Sequence, residues 1–294
     1  MPENLFNWLF RVLQKVVKMV SGPKIGISLY TYGADIFSRR MTIKEAIDHA
    51  ASLDIEGIEL VSKQHFPNYP YQTVFDLHEI KDYIGSYGLP VSCYSTHVEE
   101  ETRWDRLATH EELVNIVKNH IVEAAAVGAE VVRPYIAQTA RAAKVQDWAD
   151  KIVSVIREVL PTLRKYNLKW GTEIHSPMPP DSIIYIINSI NEPDVGLVPD
   201  FSAWQTKGLP GETGGGTLKN FKDAMPLAVH IHAKAHEFDK NGEEPFTPYK
   251  DLLSIVKQSN YEGHISAEFE GWWMKDHDSR EIAKTHVNLL KRYL

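Results

Sequence analysis

From Lys24 onward, short runs of β-branched and apolar residues alternate with longer segments whose apolar positions recur every three or four residues. The first pattern suits buried strands and the second amphipathic helices. Strands are expected at IGISL (25–29), GIELV (57–61), PVSCYS (90–95), AEVVRPY (129–135), LKWGTEI (168–174), VGLVPD (195–200), LAVHIH (227–232) and GHISAEF (263–269). Helices are expected over 42–53, 75–87, 111–126, 145–166, 181–190, 248–258 and 278–293, with a weaker one around 217–224. Repeated strand–helix units imply parallel strands joined by helical crossovers. Eight of them in 294 residues most economically close into one α/β domain, a (β/α)8 barrel over residues 24–294. A doubly wound open sheet is the competing arrangement, but the first strand runs into SLYTYGAD, which lacks the glycine-rich fingerprint of that fold.

Residues 1–23 form a separate pattern. Leu5, Leu9, Val12, Leu13, Val16 and Val20 share helical spacing, with Arg11, Lys15 and Lys18 on the other side. This predicts an amphipathic helical extension that caps the barrel or contacts a partner. It lacks the basic start, long apolar core and cleavage site of a secretory leader, and it is too polar to span a bilayer, so a cytoplasmic protein is expected. The net charge of -7 provides no basic field, which argues against nucleic acid or an anionic membrane as partner and leaves small molecules or proteins. Cys93 is the single cysteine, so an intramolecular disulfide and a thiolate-built metal site are both excluded.

Function in a barrel of this kind sits where the C-terminal strand ends meet. The fifth strand ends with Glu173 and His175, the sixth with Asp200, the seventh with His230 and His232 followed by Lys234, and the eighth with Glu268 and Glu270. Glu173, Asp200, His232 and Glu268 come one from each of four consecutive units and can converge. Three carboxylates and an imidazole in one cavity would repel and lose hydration unless a cation joined them. Oxygen-rich ligation with one nitrogen and no thiolate suits Mn²⁺ first, with Mg²⁺ or Co²⁺ as alternatives, Zn²⁺ also admissible and copper least expected. His230, one layer deeper than His232, reads as a hydrogen-bonded core histidine. Glu59 and Arg133 fall inside strands and are expected to form a buried ion pair.

The order Glu in EIHSP, Asp in GLVPD, His in HIHAK and Glu in ISAEFEG resembles the xylose isomerase-like TIM-barrel superfamily over nearly the whole chain from Lys24. That resemblance implies that Glu173, Asp200, His232 and Glu268 ligate the metal. An endonuclease branch of the superfamily adds a histidine three residues after the Asp; here that position is Ala203, which argues for one metal ion. A narrower resemblance, carried by ELVSKQHFPNYP, PVSCYSTH, TEIHSPMPPDS and VGLVPDFSAW, is to the catalytic subunits of bacterial C-glycoside deglycosidases. It implies a metal-held 3-keto sugar, a histidine base and a small second subunit, expected here to be β-rich within an oligomeric assembly.

The chemistry expected is proton removal beside a sugar carbonyl, leading to cleavage of a C-glycosidic bond or, as the alternative, to isomerisation or epimerisation of a free sugar. His175, two residues past Glu173 on the same face, is the expected general base, with a substrate hydrogen bond without proton transfer as the competing role. Lys234 is expected to donate to a sugar or enolate oxygen, with a salt bridge to Glu270 as the competing role. His97, Trp204, Glu270 and Trp272 are the expected substrate contacts, within an aromatic rim that also includes Tyr30, Tyr32, Tyr94, Trp104 and Trp273. The acidic loop AHEFDKNGEEPF argues against a phosphorylated substrate, and the glycine-rich GLPGETGGGT reads as a lid.

Overall fold

The computed structural model describes residues 22–62, 66, 68, 71–102, 107–136, 145–175, 179–206, 215–271 and 277–294. The extension expected over 1–23 lies outside them except for Gly22 and Pro23, as does the expected lid up to Gly214. The strands are β1 (Lys24–Ser28), β2 (Gly57–Val61), β3 (Val91–His97), β4 (Ala129–Tyr135), β5 (Lys169–Ile174), β6 (Val195–Pro199), β7 (Ile231–Ala235) and β8 (His264–Phe269). The crossover helices are α1 (Ile43–Ala51), α2 (Val74–Gly85), α3 (His110–Ala126), α4 (Val145–Lys165), α5 (Pro180–Ile190), α6 (Leu218–Ala224), α7 (Tyr249–Gln258) and α8 (Ser279–Tyr293). Short helical turns also follow β1, β3 and β6 at Leu29–Phe37, Val98–Glu101 and Phe201–Trp204.

All the described strand pairs are parallel, in the order β6-β5-β4-β3-β2-β1-β8-β7. Two isolated bridges, Leu197 to Ala228 and Asp200 to His232, bring β6 and β7 together, so the barrel is nearly closed. The expected (β/α)8 architecture is therefore the observed one. Threonine caps start α1, α2, α3 and α6: Thr42, Thr73, Thr109 and Thr217 each accept from the backbone N–H three residues on, whose side chain accepts in return from the cap. Val, Ile and Leu dominate the buried layer between strands and helices, including Ile58, Leu60, Val132, Leu197 and Ile265.

The largest departure from the expected elements is β7, which begins at Ile231 and runs to Ala235 instead of occupying 227–232. Met225–Leu227 form a turn of 3-10 helix with Pro226 near its start, where a missing backbone N–H costs nothing. The apolar run therefore enters the barrel four residues late. His232 lies inside the strand, and the chain continues past Lys234 to His236 along the mouth. Among the described residues no helix is long and apolar enough to cross a membrane.

Candidate metal centre and active site

Alternation along the strands points Glu59, Cys93, Ser95, Arg133, Glu173, His232, Lys234 and Glu268 into the barrel. One donor atom from each of Glu173, Asp200, His232 and Glu268 lies within 4.8 Å of the others. Asp200 and His232 are bridge partners across the β6–β7 closure, and Lys234 is paired in register with Glu268. The backbone thus sets the separation of these groups before their side chains do.

His232 Nδ1 is 2.7 Å from Glu173 Oε1 and 3.2 Å from Glu268 Oε2, while Nε2 stands 3.0 Å from Glu59 Oε1. That last contact is within ion-pair range but off the line of a hydrogen bond. Asp200 uses Oδ1 to accept from Ser202 N at 2.8 Å. Its other oxygen, Oδ2, and Glu268 Oε2 are buried without a hydrogen bond; Lys234 Nζ stands 3.5 and 3.3 Å from them. Such orphaned carboxylate oxygens, gathered beside an imidazole nitrogen, fit a divalent cation. The donor set is oxygen-rich with one nitrogen, as Mn²⁺, Mg²⁺ or Co²⁺ prefer.

Electrostatics agree with that fit. Five buried or half-buried carboxylates, those of Glu59, Glu173, Asp200, Glu268 and Glu270, face two permanent cations, Arg133 and Lys234. Burial opposes the charge on Glu173, yet Arg133, with Nη1 3.4 Å away, and then His232 hold the carboxyl well below its ordinary range. For Glu268 burial wins over Lys234 and His232, and its carboxyl is pushed up to about 7. Burial works against a charged His232, but Glu59 and Glu268 raise it well above the usual imidazole range. A cation among the same oxygens would compete with that second proton, because a ligating imidazole must give it up.

His175 follows β5 at the rim, its ring 5.6 Å from that of Tyr135, which in turn stands 5.6 Å from the ring of His97. Burial opposes its protonation, but Glu173 and Asp200 shift it upward. Lys234 Nζ donates to Glu270 Oε2 at 2.8 Å, and Tyr30 OH donates to Glu270 Oε1 at 3.0 Å. Burial alone would raise Glu270; Lys234 and His175 bring it down to about 2. The salt bridge considered for Lys234 is therefore present, and it lies on the same wall as the four convergent side chains.

Other expected positions fall elsewhere. Trp204 is 2% exposed, and its indole N–H donates to Asn220 Oδ1 at 2.8 Å and Thr217 O at 3.1 Å, so it packs the wall behind β6. Tyr94 alternates with Cys93 and Ser95, faces outward and donates to Glu123 at 3.0 Å; Tyr32 is fully buried against His49. Trp104, Trp272 and Trp273 lie outside the described residues. The expected Glu59–Arg133 ion pair is replaced by Arg133–Glu173 and by Glu59 contacts to His230 and His232. His230 is the buried, hydrogen-bonded histidine anticipated, with Nε2 2.9 Å from Ser266 Oγ. His236 is a mouth residue the sequence reading passed over. It is buried beside Gln205 at 2.8 Å, and burial, then Lys234, lowers it to about 4. Its signal was the continued alternation from His232 and Lys234.

A nearly closed (β/α)8 barrel with acidic and imidazole groups gathered at its C-terminal mouth defines a class of metal-competent barrels. Residues 47–293 match the xylose isomerase-like TIM barrel, and the chain belongs to that family. It is 21% identical to the 3'-dehydrocarminate deglycosidase alpha subunit of a Microbacterium species, covering 92% of this chain and 95% of the relative. It is 22% identical to a C-glycoside deglycosidase alpha subunit of Arthrobacter globiformis, covering 89% of this chain and 88% of the relative. In structure it is similar to D-psicose 3-epimerase of Clostridium cellulolyticum H10, with a TM-score of 0.73 at 11% identity and coverage of 92% and 99%. An IOLI protein with a bound zinc atom superposes with a TM-score of 0.69 at 16% identity, covering 92% of this chain and 99% of the other. At these identities the structural likeness establishes the fold.

Proposed function

We propose that this chain is a divalent-metal-dependent sugar enzyme whose reaction is the cleavage of a 3-keto C-glycoside, carried out as the catalytic subunit of a two-component assembly. The observation that carries the reading is the convergence of Glu173, Asp200, His232 and Glu268 with His175 beside them. The alpha-subunit relatives support the substrate class and the second component.

In this reading Glu173, Asp200, His232 and Glu268 hold the cation, with Mn²⁺ preferred. Bound there, it supplies Lewis-acid stabilisation of negative charge developing on a carbonyl oxygen. His175 takes the proton from the carbon between the keto group and the anomeric carbon. The electron pair left behind forms a double bond to the anomeric carbon and expels the aglycone carbon, which collects a proton. The products are a free aglycone and an unsaturated keto sugar, with atoms and electrons balanced. A neutral imidazole at His175 would suit base catalysis, and a cation held by Glu173 and Asp200 would offset the upward shift that those carboxylates impose on it. Lys234, fixed by Glu270 and 5.4 Å from the Tyr30 ring centre, offers N–H donors to sugar oxygens. His97 and Tyr135 form the facing rim.

The test is product analysis by mass spectrometry after incubation with a 3-keto C-glucoside bearing an aromatic aglycone. It is run with Mn²⁺ and with chelator, both alone and with a small β-rich second subunit. Metal-dependent release of the aglycone is the expected result. A product of unchanged mass would instead assign isomerisation or epimerisation. A fully metallated sample that produces neither would overturn the proposal.

A further inference from the structure

Three inward side chains, Glu59, Ser95 and Arg133, join Glu173 and His232 of the convergent set in a circuit that closes on itself. Glu173 Oε1 meets His232 Nδ1 at 2.7 Å, and His232 Nε2 stands 3.0 Å from Glu59 Oε1. That oxygen accepts from Ser95 Oγ at 2.5 Å, and Ser95 Oγ in turn accepts from Arg133 Nε at 3.1 Å. Arg133 Nη1 returns to Glu173 Oε2 at 3.4 Å. The residues come from β5, β7, β2, β3 and β4. Strands β2 and β7 are not neighbours in the sheet, so the His232–Glu59 contact crosses the barrel interior. Every member is buried, with exposures from 0% to 9%.

We propose that Glu59, acting with Ser95 and Arg133, is a positioning residue that fixes the orientation of two of the four proposed metal ligands at once. The inference rests on the metal reading above. An imidazole can turn about its ring bond and present carbon where nitrogen is needed; a carboxylate facing Nε2 holds Nδ1 toward Glu173 and Glu268. Such a partner behind a ligating histidine fixes its tautomer and its aim. Arg133 acts on the other ligand. Its fork takes Ser95 with Nε and Glu173 Oε2 with Nη1, leaving Glu173 Oε1 turned to the cluster. One buried limb thereby registers β5 against β7 at the depth where the ligands sit.

Glu59, Cys93 and His230 also have candidate donor atoms within 4.8 Å of one another, which raises the question of a second cation. Glu59 answers it. Its Oε1 is occupied by Ser95 at 2.5 Å and its Oε2 by His230 at 3.2 Å, so both oxygens already serve donors from the protein. The inner group supports the outer one instead of duplicating it.

Glu59→Gln is the direct test, because a glutamine offers one acceptor oxygen and turns an N–H₂ toward a site where Ser95 and His230 donate and His232 Nε2 stands at ion-pair distance. The dissociation constant for Mn²⁺, measured by chelator competition, is expected to rise about 10- to 100-fold. Ser95→Ala, a smaller change that removes the link between Glu59 and Arg133, is expected to weaken Mn²⁺ in the same direction. The visible absorption of the Co²⁺-loaded proteins should change in both variants, a signature that loss of stability alone does not produce. Asp200→Asn, outside the circuit, separates the two readings. If the wild type binds Mn²⁺ and Asp200→Asn weakens it while Glu59→Gln and Ser95→Ala match the wild type in affinity and Co²⁺ spectrum, the positioning role is overturned and the metal reading stands. If the wild type binds no divalent cation, both fall. Should Glu59→Gln fail to fold, Ser95→Ala with an unchanged apo unfolding midpoint decides the matter alone.

Discussion

Glu173 and His175 leave β5 two residues apart on one side, yet their surroundings differ. Glu173 is buried between Arg133 and His232, whereas His175 reaches the aromatic rim at Tyr135. In the proposed reaction they should therefore fail differently. Glu173→Gln replaces an anionic ligand by a neutral amide and is expected to lose metal, measured by elemental analysis after dialysis. His175→Ala should keep the metal and lower turnover by about 10² to 10⁴, the usual size of a general-base contribution. Deuterium wash-in beside the substrate carbonyl reads that step directly; near-normal exchange in a fully metallated His175→Ala protein would remove His175 from the mechanism. The convergence itself was legible, because two-residue alternation fixes which strand residues face inward and one ligand type stood at each of four consecutive strand ends. Partner choice was not. Alternation puts Glu59 and Arg133 in the lumen but says nothing of depth, and depth is what gives Arg133 to Glu173 and Glu59 to His232. Trp204 was unreadable for a related reason: a tryptophan just after a strand can face the mouth or fold back, and here Asn220 and Thr217 draw its N–H inward.

At the scale of elements, the seam between β6 and β7 matters most for the site, since it carries Asp200 and His232. Periodicity places most strands within a residue or two, but it starts β7 at the first apolar residue, Leu227. The strand begins later because Pro226 lies in a turn and the chain first runs beneath β6, with Val229 N donating to Leu197 O at 2.9 Å. This close approach needs Gly196. A Cβ there would overlap the side chain of Val229 and the carbonyl of Leu227. Gly196→Ala is thus expected to force β6 and β7 apart, at a cost of about 1 to 3 kcal/mol, the range for overpacked cores. Calorimetry should show a lower melting temperature, and the strain should also reach the Asp200–His232 bridge and weaken Mn²⁺ binding. A variant with wild-type melting and wild-type affinity would show that the seam yields without cost.

Across the whole molecule, the net charge of -7 is not spread evenly; five carboxylates crowd one mouth against Arg133 and Lys234. Folding gathers these charges, and the unfolded chain keeps them apart in water. A cation that binds only the gathered set must stabilise the fold by mass action, by about 2.7 kcal/mol at a hundredfold excess over its dissociation constant. In a chain of this length each kcal/mol is worth roughly 2 °C of melting temperature, so Mn²⁺ should raise the midpoint by about 5 °C and excess chelator should return it. The effect is a property of the assembled mouth and needs no substrate or second subunit. Asp200→Asn should abolish most of the rise, since it removes a buried anionic oxygen that accepts no hydrogen bond. His175→Ala should preserve the rise, since its role in the proposed reaction is to move a proton. Scanning calorimetry of the three proteins, with Mn²⁺ and with chelator, separates these outcomes. A wild-type midpoint indifferent to both additions would mean that Lys234 and Arg133 balance the mouth without a metal ion.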